Sequence, residues 1–440
     1  MSDRWPEHRA KVDHVRAQLR AVASGRGVSS HKRVVSHQVP KRSDARRKDH
    51  KIDLRALDQI LAIDPVARTC TAEPGVTFLA LAKATLAHGL VPIVVPELET
   101  ITIGGAVAGC SLESMSFVEG GFHDGCLEYE VVTTAGDVLV CTPDNEHALV
   151  FEMMHSSFGT LGYLTRLTFK LVPAKPFVQV VYETYRSRPE YLAAIQRHHR
   201  ERDFDFMDGI LHAKDHLVLC MGRFVERAPY THRYDWVTVY YRTTAKRKED
   251  YFRTLDYFFR YDRGVTNPTP RSFLGRLLFG KLLDSTTVLR IANRFHKVFL
   301  SEESPEVTLD TFLPLSRTDE FLSWYDEAIG FYPLWCVPYR RRDYAWIADG
   351  FLAGLDDELF IDLAIYGLRQ PPGRNYYAEI EAALLRVQGI KTLIAHNYYD
   401  EETFWRTWNR GNYEAVKKIT DPRNVLRDLY TKTVLAPRGL

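Results

Sequence analysis

The chain predicts an α+β fold built in two parts, and three observations predict it. At 440 residues, 45% apolar and 26% charged, it has material for two or three domains with a sizeable core. Up to about residue 175, short stretches with a period of two interleave with helical stretches, and neither dominates. Beyond Pro173 and Pro176 the texture shifts to longer aromatic-rich segments such as YFRTLDYFFRYDRG and FLSWYDEAIGFYPLW, which marks a second unit.

Taken in order, residues 8–22 place Val12, Val15, Leu19 and Val22 on one side of a helix ringed by basic residues, an amphipathic arm over 1–30. A strand over 66–72, an EPGV turn, a helix over 77–88 stopped by Gly89 and a short buried strand over 91–95 follow. Leu127, Tyr129 and Val131 alternate with Glu128 and Glu130, and Ala135-Gly136 turns the chain into 138–141, the pattern of a hairpin. Residues 145–155 read as a helix. Leu167, Phe169 and Leu171 then alternate with polar neighbours in a closing strand, which ends a first domain over 31–176. A second α+β domain over 177–390 has strands at 178–182 and 359–365 and a helix at 319–329. The stripe Tyr251, Phe252, Leu255, Phe258 and Phe259 is helical in period and reads as core, or as a wall for a long apolar substrate. The segment 391–440 is helical and polar over 400–434, with Phe404, Trp405 and Trp408 spaced to press onto a surface.

Charge excludes some functions. Lys plus Arg exceed Asp plus Glu by a net +2, so no global field marks a nucleic-acid binder. The basic run over 31–51 fits a solvated face, a cofactor phosphate or an anionic membrane surface. Six cysteines without a CxxC pair suit buried thiols in a reducing compartment. The charged N-terminus lacks the apolar core of a signal peptide, and no apolar stretch is long enough to span a bilayer. A cytoplasmic location is expected, at most peripheral on the inner face of the membrane. HExxH, GxSxG and EF-hand patterns are absent, and His198-His199 has no ligand partner at metal spacing, so no metal site is expected.

The informative stretch is PELETITIGGAVAGCSLESMSFVEGGFHDG, residues 96–125. Gly104, Gly105 and Gly109 form a GGxxxG arrangement after a β-like segment, where backbone N–H groups can approach a pyrophosphate without Cβ interference. Neither GxGxxG nor GxxxxGK[ST] occurs. Downstream, SSFGTLGYLTRLTFKLVPA again sets glycines, Gly159 and Gly162, just before a strand.

On these two stretches the chain resembles the FAD-binding domain of the vanillyl-alcohol-oxidase superfamily, in which a TxGG turn lies over the flavin pyrophosphate and a later GxxG-strand element meets the rest of the cofactor. Through YEVVTTAGDVLVCTP, VTLDTFLPLSR, YPLWCVPY and FIDLAIYG it is similar in particular to delta-24 sterol reductases and their bacterial methylene-fatty-acyl reductase relatives. The resemblance implies an FAD-binding domain over 31–176, a substrate (cap) domain, and a C-terminal segment returning to the flavin. It implies cofactor contacts from Thr102, Gly104, Gly105, Gly109, Ser111, Ser114, Ser116, Gly159, Thr160, Leu161 and Gly162. Two departures stand out. The membrane-spanning N-terminus of the eukaryotic sterol enzymes is missing. The histidine-bearing first phosphate loop is replaced by KRVVSHQVPKR, whose His37 and preceding His31 lie outside any RGGGH-like context, so FAD is expected to be non-covalent.

The implied reaction is reduction of an isolated C=C bond in a lipid, with NADPH as electron donor. With no carbonyl beside the alkene, hydride alone cannot start it, and protonation by an enzyme acid has to lead. Glu113 in SLESMS is the first candidate for that acid, or else a carboxylate paired with an arginine. Tyr398 and His396, in IAHNYYDEE, are the others. Arg340 to Arg342 fit an anionic head group, the nicotinamide donor's phosphate or plain solvent. A methylene-branched fatty acyl chain, perceived through that resemblance, is the expected substrate, and a methyltransferase making the branched alkene is the partner it implies. A flavin-dependent alcohol or sugar oxidase and a non-catalytic lipid-binding protein are the rival readings.

Overall fold

Two sheets, one in each part, carry the architecture of the computed structural model, which describes residues 4–23, 27–32, 43–234, 238–262 and 306–440. The replaced phosphate loop, including His37, lies outside the described residues. Strands β1 (Val28–His31) and β2 (His50–Asp53) flank it and pair in parallel. The first sheet runs β3 (Ile60–Asp64), β4 (Thr69–Ala72), β8 (Tyr163–Pro173), β6 (Cys126–Val132), β7 (Val138–Cys141), with β5 (Leu90–Pro92) added along β8.

The second sheet has eight strands in the order β12 (Glu249–Arg253), β9 (Phe177–Tyr185), β11 (His216–Val225), β10 (Phe206–Ala213), β14 (Leu334–Arg340), β15 (Leu359–Leu368), β13 (Val307–Pro314), β16 (Ile390–Lys391). Its two faces follow from the period of two. Met207, Leu219, Leu309, Cys336 and Leu363 pack outward under the helices Arg188–Glu201, Thr318–Ala328 and Tyr376–Arg386. Phe206, Ile210, Trp335 and Phe312 point the other way and join the core shared with the first domain. Asp208, Asp310 and Asp362 sit in that second set of alternate positions, on the face that meets the first domain.

Several boundaries differ from the sequence reading, for local reasons. The strand expected from residue 66 begins at Thr69, because Asp64 Oδ1 accepts from the N–H groups of both Val66 and Ala67 at 2.9 Å and turns the chain there. Val66 is left 94% exposed. The helix after EPGV is Phe78–Leu86, capped by the Thr77 hydroxyl on Ala80 N–H. The aromatic stripe at 251–259 is not one helix. Tyr251 and Phe252 lie in β12 and the helix Thr254–Phe258 begins after it, although Phe252, Phe258 and Phe259 are buried as core.

The N-terminal helix, Trp5–Ala21, packs onto the protein and does not stand apart as an arm. Val12, Val15, Leu19 and Val22 are buried against Ile52, Leu57, Val132, Tyr163 and Leu426. Its apolar side is therefore consumed by packing and is not presented to a membrane. Among the described residues no helix is long and apolar enough to cross one.

Candidate functional site

The glycine turn is built by approach, not by flexibility. Thr102 caps the helix Ile103–Gly109 by accepting from Gly105 N–H at 3.3 Å, and Gly104 N–H donates to Pro74 O at 2.9 Å. A Cβ on Gly104 would lie 2.5 Å from Pro74 Cβ and 3.1 Å from its carbonyl, so only glycine lets the helix start sit on the EPGV turn. The helix ends on Cys110 in the left-handed region, φ 54°.

The second loop is strained in the same neighbourhood. Ser156, Phe158 and Gly159 have φ of 56°, 50° and 67°, and Gly162 has 95°. Non-glycine residues in this region cost energy and persist where the surroundings hold them, and alternation of this kind points successive N–H groups into an anion-binding concavity. Phe158 N–H donates to Ala108 O at 3.1 Å, which joins the two glycine loops. Leu161 and Thr160 are fully buried, so their offer to a cofactor is backbone.

Basic groups converge on this loop. Lys432 donates to Gly159 O at 3.1 Å and Lys417 to Thr160 O at 3.4 Å. Burial, with Arg46, Lys32 and Lys51 as like charges around it, pulls the Lys432 ammonium down to about 7. Lys417 is neutralised by Asp421 at 2.8 Å, which leaves Lys432 as the lysine of this loop free to meet an anion. Ser157 Oγ, buried beside the turn, has no hydrogen-bond partner among the described residues. The pyrophosphate of a dinucleotide fits residues 156–162 with Lys432, whereas the N–H groups of Ile103, Gly104 and Gly105 at the glycine-helix start are spent on Val76 O, Pro74 O and the Thr102 hydroxyl, so that turn offers close backbone approach and not free donors.

Past the glycine helix, Ser111–Ser116 leads to the interface with the second sheet. Glu113 is 2% exposed, and its Oε2 accepts from the N–H and hydroxyl of Ser114. Its Oε1 and Asp208 Oδ1 each lie 3.0 Å from Arg260 Nη2. Asp208 Oδ2 accepts from Tyr261 Oη at 2.5 Å and Trp335 Nε1 at 2.9 Å, and the guanidinium stacks 4.0 Å over Tyr257. Ser116 Oγ accepts from Glu113 N–H, and Ser114 O from Met207 N–H at 2.7 Å, which fastens the segment to β10. Burial raises the Glu113 carboxyl, Arg260 opposes the rise and Asp208 adds to it. Two carboxylates thus share one guanidinium.

Tyr398 and His396 fall in a different cluster. Lys391, fully buried, pairs with Glu381 at 2.6 Å and donates to His396 O, while Glu381 accepts from Tyr398 N–H at 3.0 Å. Tyr377 packs against both rings, and the Arg438 guanidinium lies 5.3 Å over Tyr398. Tyr398 packs with the outer core beneath the helices, whereas Ile394 approaches Gly109, where a Cβ would meet it at 3.6 Å. The C-terminal segment does return to the glycine helix, through Ile394.

The sequence reading missed the acids of the inner sheet face. Asp362 is 6% exposed, and its Oδ1 is buried with no hydrogen-bond partner among the described residues. Burial, then Asp310 and Glu97, push it well above the carboxylate range. Asp310, held by Tyr366 Oη at 2.6 Å, is raised to about 6, and Glu97 to about 8, both by burial first. Their one legible signal was a charge inside the otherwise apolar run LFIDLAIYG. Arg341 and Arg342 are engaged with protein groups, Leu355 O and Asp124.

Fold and site together are those of an FAD-binding oxidoreductase, and residues 13–142 match the family described as "FAD binding domain". The chain is similar to Delta(24)-sterol reductase of Homo sapiens, 25% identical over 412 residues that cover 89% of this chain and 79% of that protein. Delta(24)-sterol reductase homolog dhcr-24 of Caenorhabditis elegans is 24% identical, with 87% and 78% covered. Cytokinin dehydrogenase 5 of Arabidopsis thaliana is 28% identical over 142 residues, 31% of this chain and 26% of that one.

Proposed function

We propose that this chain reduces an isolated carbon–carbon double bond in a lipid, a methylene-branched fatty acyl chain to its methyl-branched product, with NADPH as donor and FAD held non-covalently. The observation that carries the reading is an inner sheet face on which Asp362 is buried with Asp310 and Glu97 near it, where desolvation raises all three carboxyls and no cation pairs with them among the described residues. An alcohol or sugar oxidase needs a base beside the cofactor, and buried neutral carboxyls are poor bases. When bound, FAD supplies two-electron hydride chemistry.

The residues supply the rest. The glycine turns and Lys432 anchor the pyrophosphate end, and the Glu113–Arg260–Asp208 cluster fixes the two domains against each other. Phe312 and Val337, opposite Asp362 in the sheet, are the apolar groups that would keep water from a carbocation formed by protonation. The similarity to Delta(24)-sterol reductases supports C=C chemistry, and a delta-24 sterol carries a branched alkene of the same reactivity.

The test is an anaerobic absorbance titration of the FAD-loaded protein with NADPH, followed by a methylene-branched phospholipid or a delta-24 sterol. Bleaching of the flavin band and its return with the phospholipid is the expected result. Return with the sterol alone transfers the substrate. Bleaching by alcohols or sugars alone overturns the reductase reading.

A further inference from the structure

We infer that Asp362, and not Glu113, Tyr398 or His396, is the acid that protonates the alkene, an assignment that rests on the reductase reading above. Geometry separates the candidates. Glu113 has both oxygens engaged, one by Ser114 and one by the Arg260 guanidinium. An arginine at 3.0 Å favours the carboxylate and opposes its use as a proton source. The Tyr398 ring lies against the outer core of the second domain. Asp362 stands on β15 on the sheet's inner face, makes no ion pair among the described residues, and has an Oδ1 with no hydrogen-bond partner among them.

The surroundings of Asp362 suit the step. Directly opposite it in register are Phe312 on β13 and Val337 on β14, so the acid rises from an apolar strip. Phe312 packs edge-on to Tyr339 at 5.5 Å, and Tyr339 lies within the electrostatic reach of both Asp362 and Cys110, the residue that ends the glycine helix. Strand β14, which carries Val337 and Tyr339, packs against the short helix Ser116–Glu119, which follows the glycine helix in the chain. Aromatic faces at that position stabilise a passing cation.

The ionisable groups around it have one sign. From β13 comes Asp310, from the loop after β5 comes Glu97, and Tyr366 on β15 and Tyr339 on β14 bring phenols. Among the described residues no Lys, Arg or His forms an ion pair with Asp362, Asp310 or Glu97. Three neighbouring carboxyls without a counter-charge do not all ionise, and a proton is retained among them.

In the step, the Asp362 O–H bond breaks and a C–H bond forms at the terminal carbon of the alkene with the π electron pair. The substituted carbon is left cationic and accepts a hydride, with its electron pair, that originates in NADPH. Asp362 leaves the step as a carboxylate and is reprotonated through Asp310. The sum is one proton and one hydride added across the double bond.

The experiment uses the full-length, FAD-loaded chain and the Asp362→Asn variant, which keeps shape and removes the acid. Alkene saturation falls at least about 100-fold, the scale of general acid catalysis. NADPH still bleaches the flavin, which shows that fold and cofactor survive. An infrared difference spectrum, wild type minus Asp362→Asn, taken at neutral pH with or without FAD, keeps one protonated carboxyl C=O band, while the contribution of Glu97, present in both proteins, cancels. Saturation within a few-fold of wild type, or absence of that band, overturns the assignment. A wild type that bleaches but saturates no alkene sinks the reductase reading itself, and the infrared band then reports on the protonation of Asp362 separately. Should Asp362→Asn not fold, Asp310→Asn decides: removing the neighbouring negative charge moves the high-pH limb of saturation to lower pH, and an unmoved limb overturns the assignment.

Discussion

Replacing Arg260 by methionine removes the cation that, among the described residues, is the only one paired with the buried carboxylates of Glu113 and Asp208. The guanidinium is 3% exposed as a residue, and Glu113 and Asp208 are 2% and 0% exposed. Each lies 3.0 Å from the same Nη2, so the variant leaves both without a counter-charge in a medium of low dielectric. Breaking a buried pair by removing one partner costs about 3–5 kcal/mol, most of it the penalty of the orphaned charge. For domains of this size each kcal/mol lowers the melting temperature by about 2–4 °C, so a fall of roughly 6–20 °C at neutral pH follows. The loss shrinks as pH falls, because the orphaned carboxyls accept protons, and it shrinks when Glu113→Gln and Asp208→Asn are added. Differential scanning fluorimetry across pH, with intrinsic flavin fluorescence as a second probe, reads both effects. A shift under about 2 °C at neutral pH, or one independent of pH, refutes the view that this cluster holds the domains together.

Two further outcomes follow from the first domain. His8, 2% exposed, touches Glu73 at 2.9 Å and Glu130 at 3.1 Å; burial lowers its pKa, but the hydrogen bonds and charges of those carboxylates prevail and raise it to about 9. A group raised in the folded state gives stability that is full below its unfolded value near 6.5 and is lost as pH climbs through 9. Docking of the N-terminal helix should weaken over that window by about 3 kcal/mol, read as loss of hydrogen-exchange protection over 5–21, and His8→Gln should flatten the dependence. Gly104→Ala forces a Cβ to 2.5 Å from Pro74 Cβ. Overpacking of that kind costs about 1–3 kcal/mol, so FAD affinity by fluorescence quenching should fall roughly 5–100-fold; unchanged affinity would show that the turn does not carry the cofactor.

The glycine turns were legible because what they require is backbone geometry. Close approach at Gly104 and left-handed φ at Gly159 and Gly162 demand particular residue types, and those types show in a sequence without any knowledge of tertiary contacts. The acids of the inner sheet face were not legible. Asp310 and Asp362 occupy alternate positions in strands, where a polar residue ordinarily marks the solvent side, and only the packing of the second sheet against the first domain turns that side inward. Glu113 was singled out as an acid or an arginine-paired carboxylate, but its partners Arg260 and Asp208 come from distant segments, so that choice stayed open until Arg260 stood at its side. The N-terminal helix failed in the opposite sense. Its apolar stripe was visible, and what covers it was not.

The interface between the domains holds five carboxyls in two arrangements, and the difference divides their work. Glu113 and Asp208 have Arg260, which fixes charge and position and suits a fastening role. Glu97, Asp310 and Asp362 have no cation among the described residues, which suits proton storage at neutral pH. Storage has a stability consequence. Glu97 raised to about 8 and Asp310 to about 6 stabilise the folded interface most below their unfolded values, and that contribution is lost as pH rises through the folded ones. The interface is thus weakest toward alkaline pH, in the same direction as the His8 contact. A purely structural interface would gain by burying apolar residues at these three positions. Their retention on the face that meets the cofactor domain is the pattern of a site whose stability is subordinate to its chemistry.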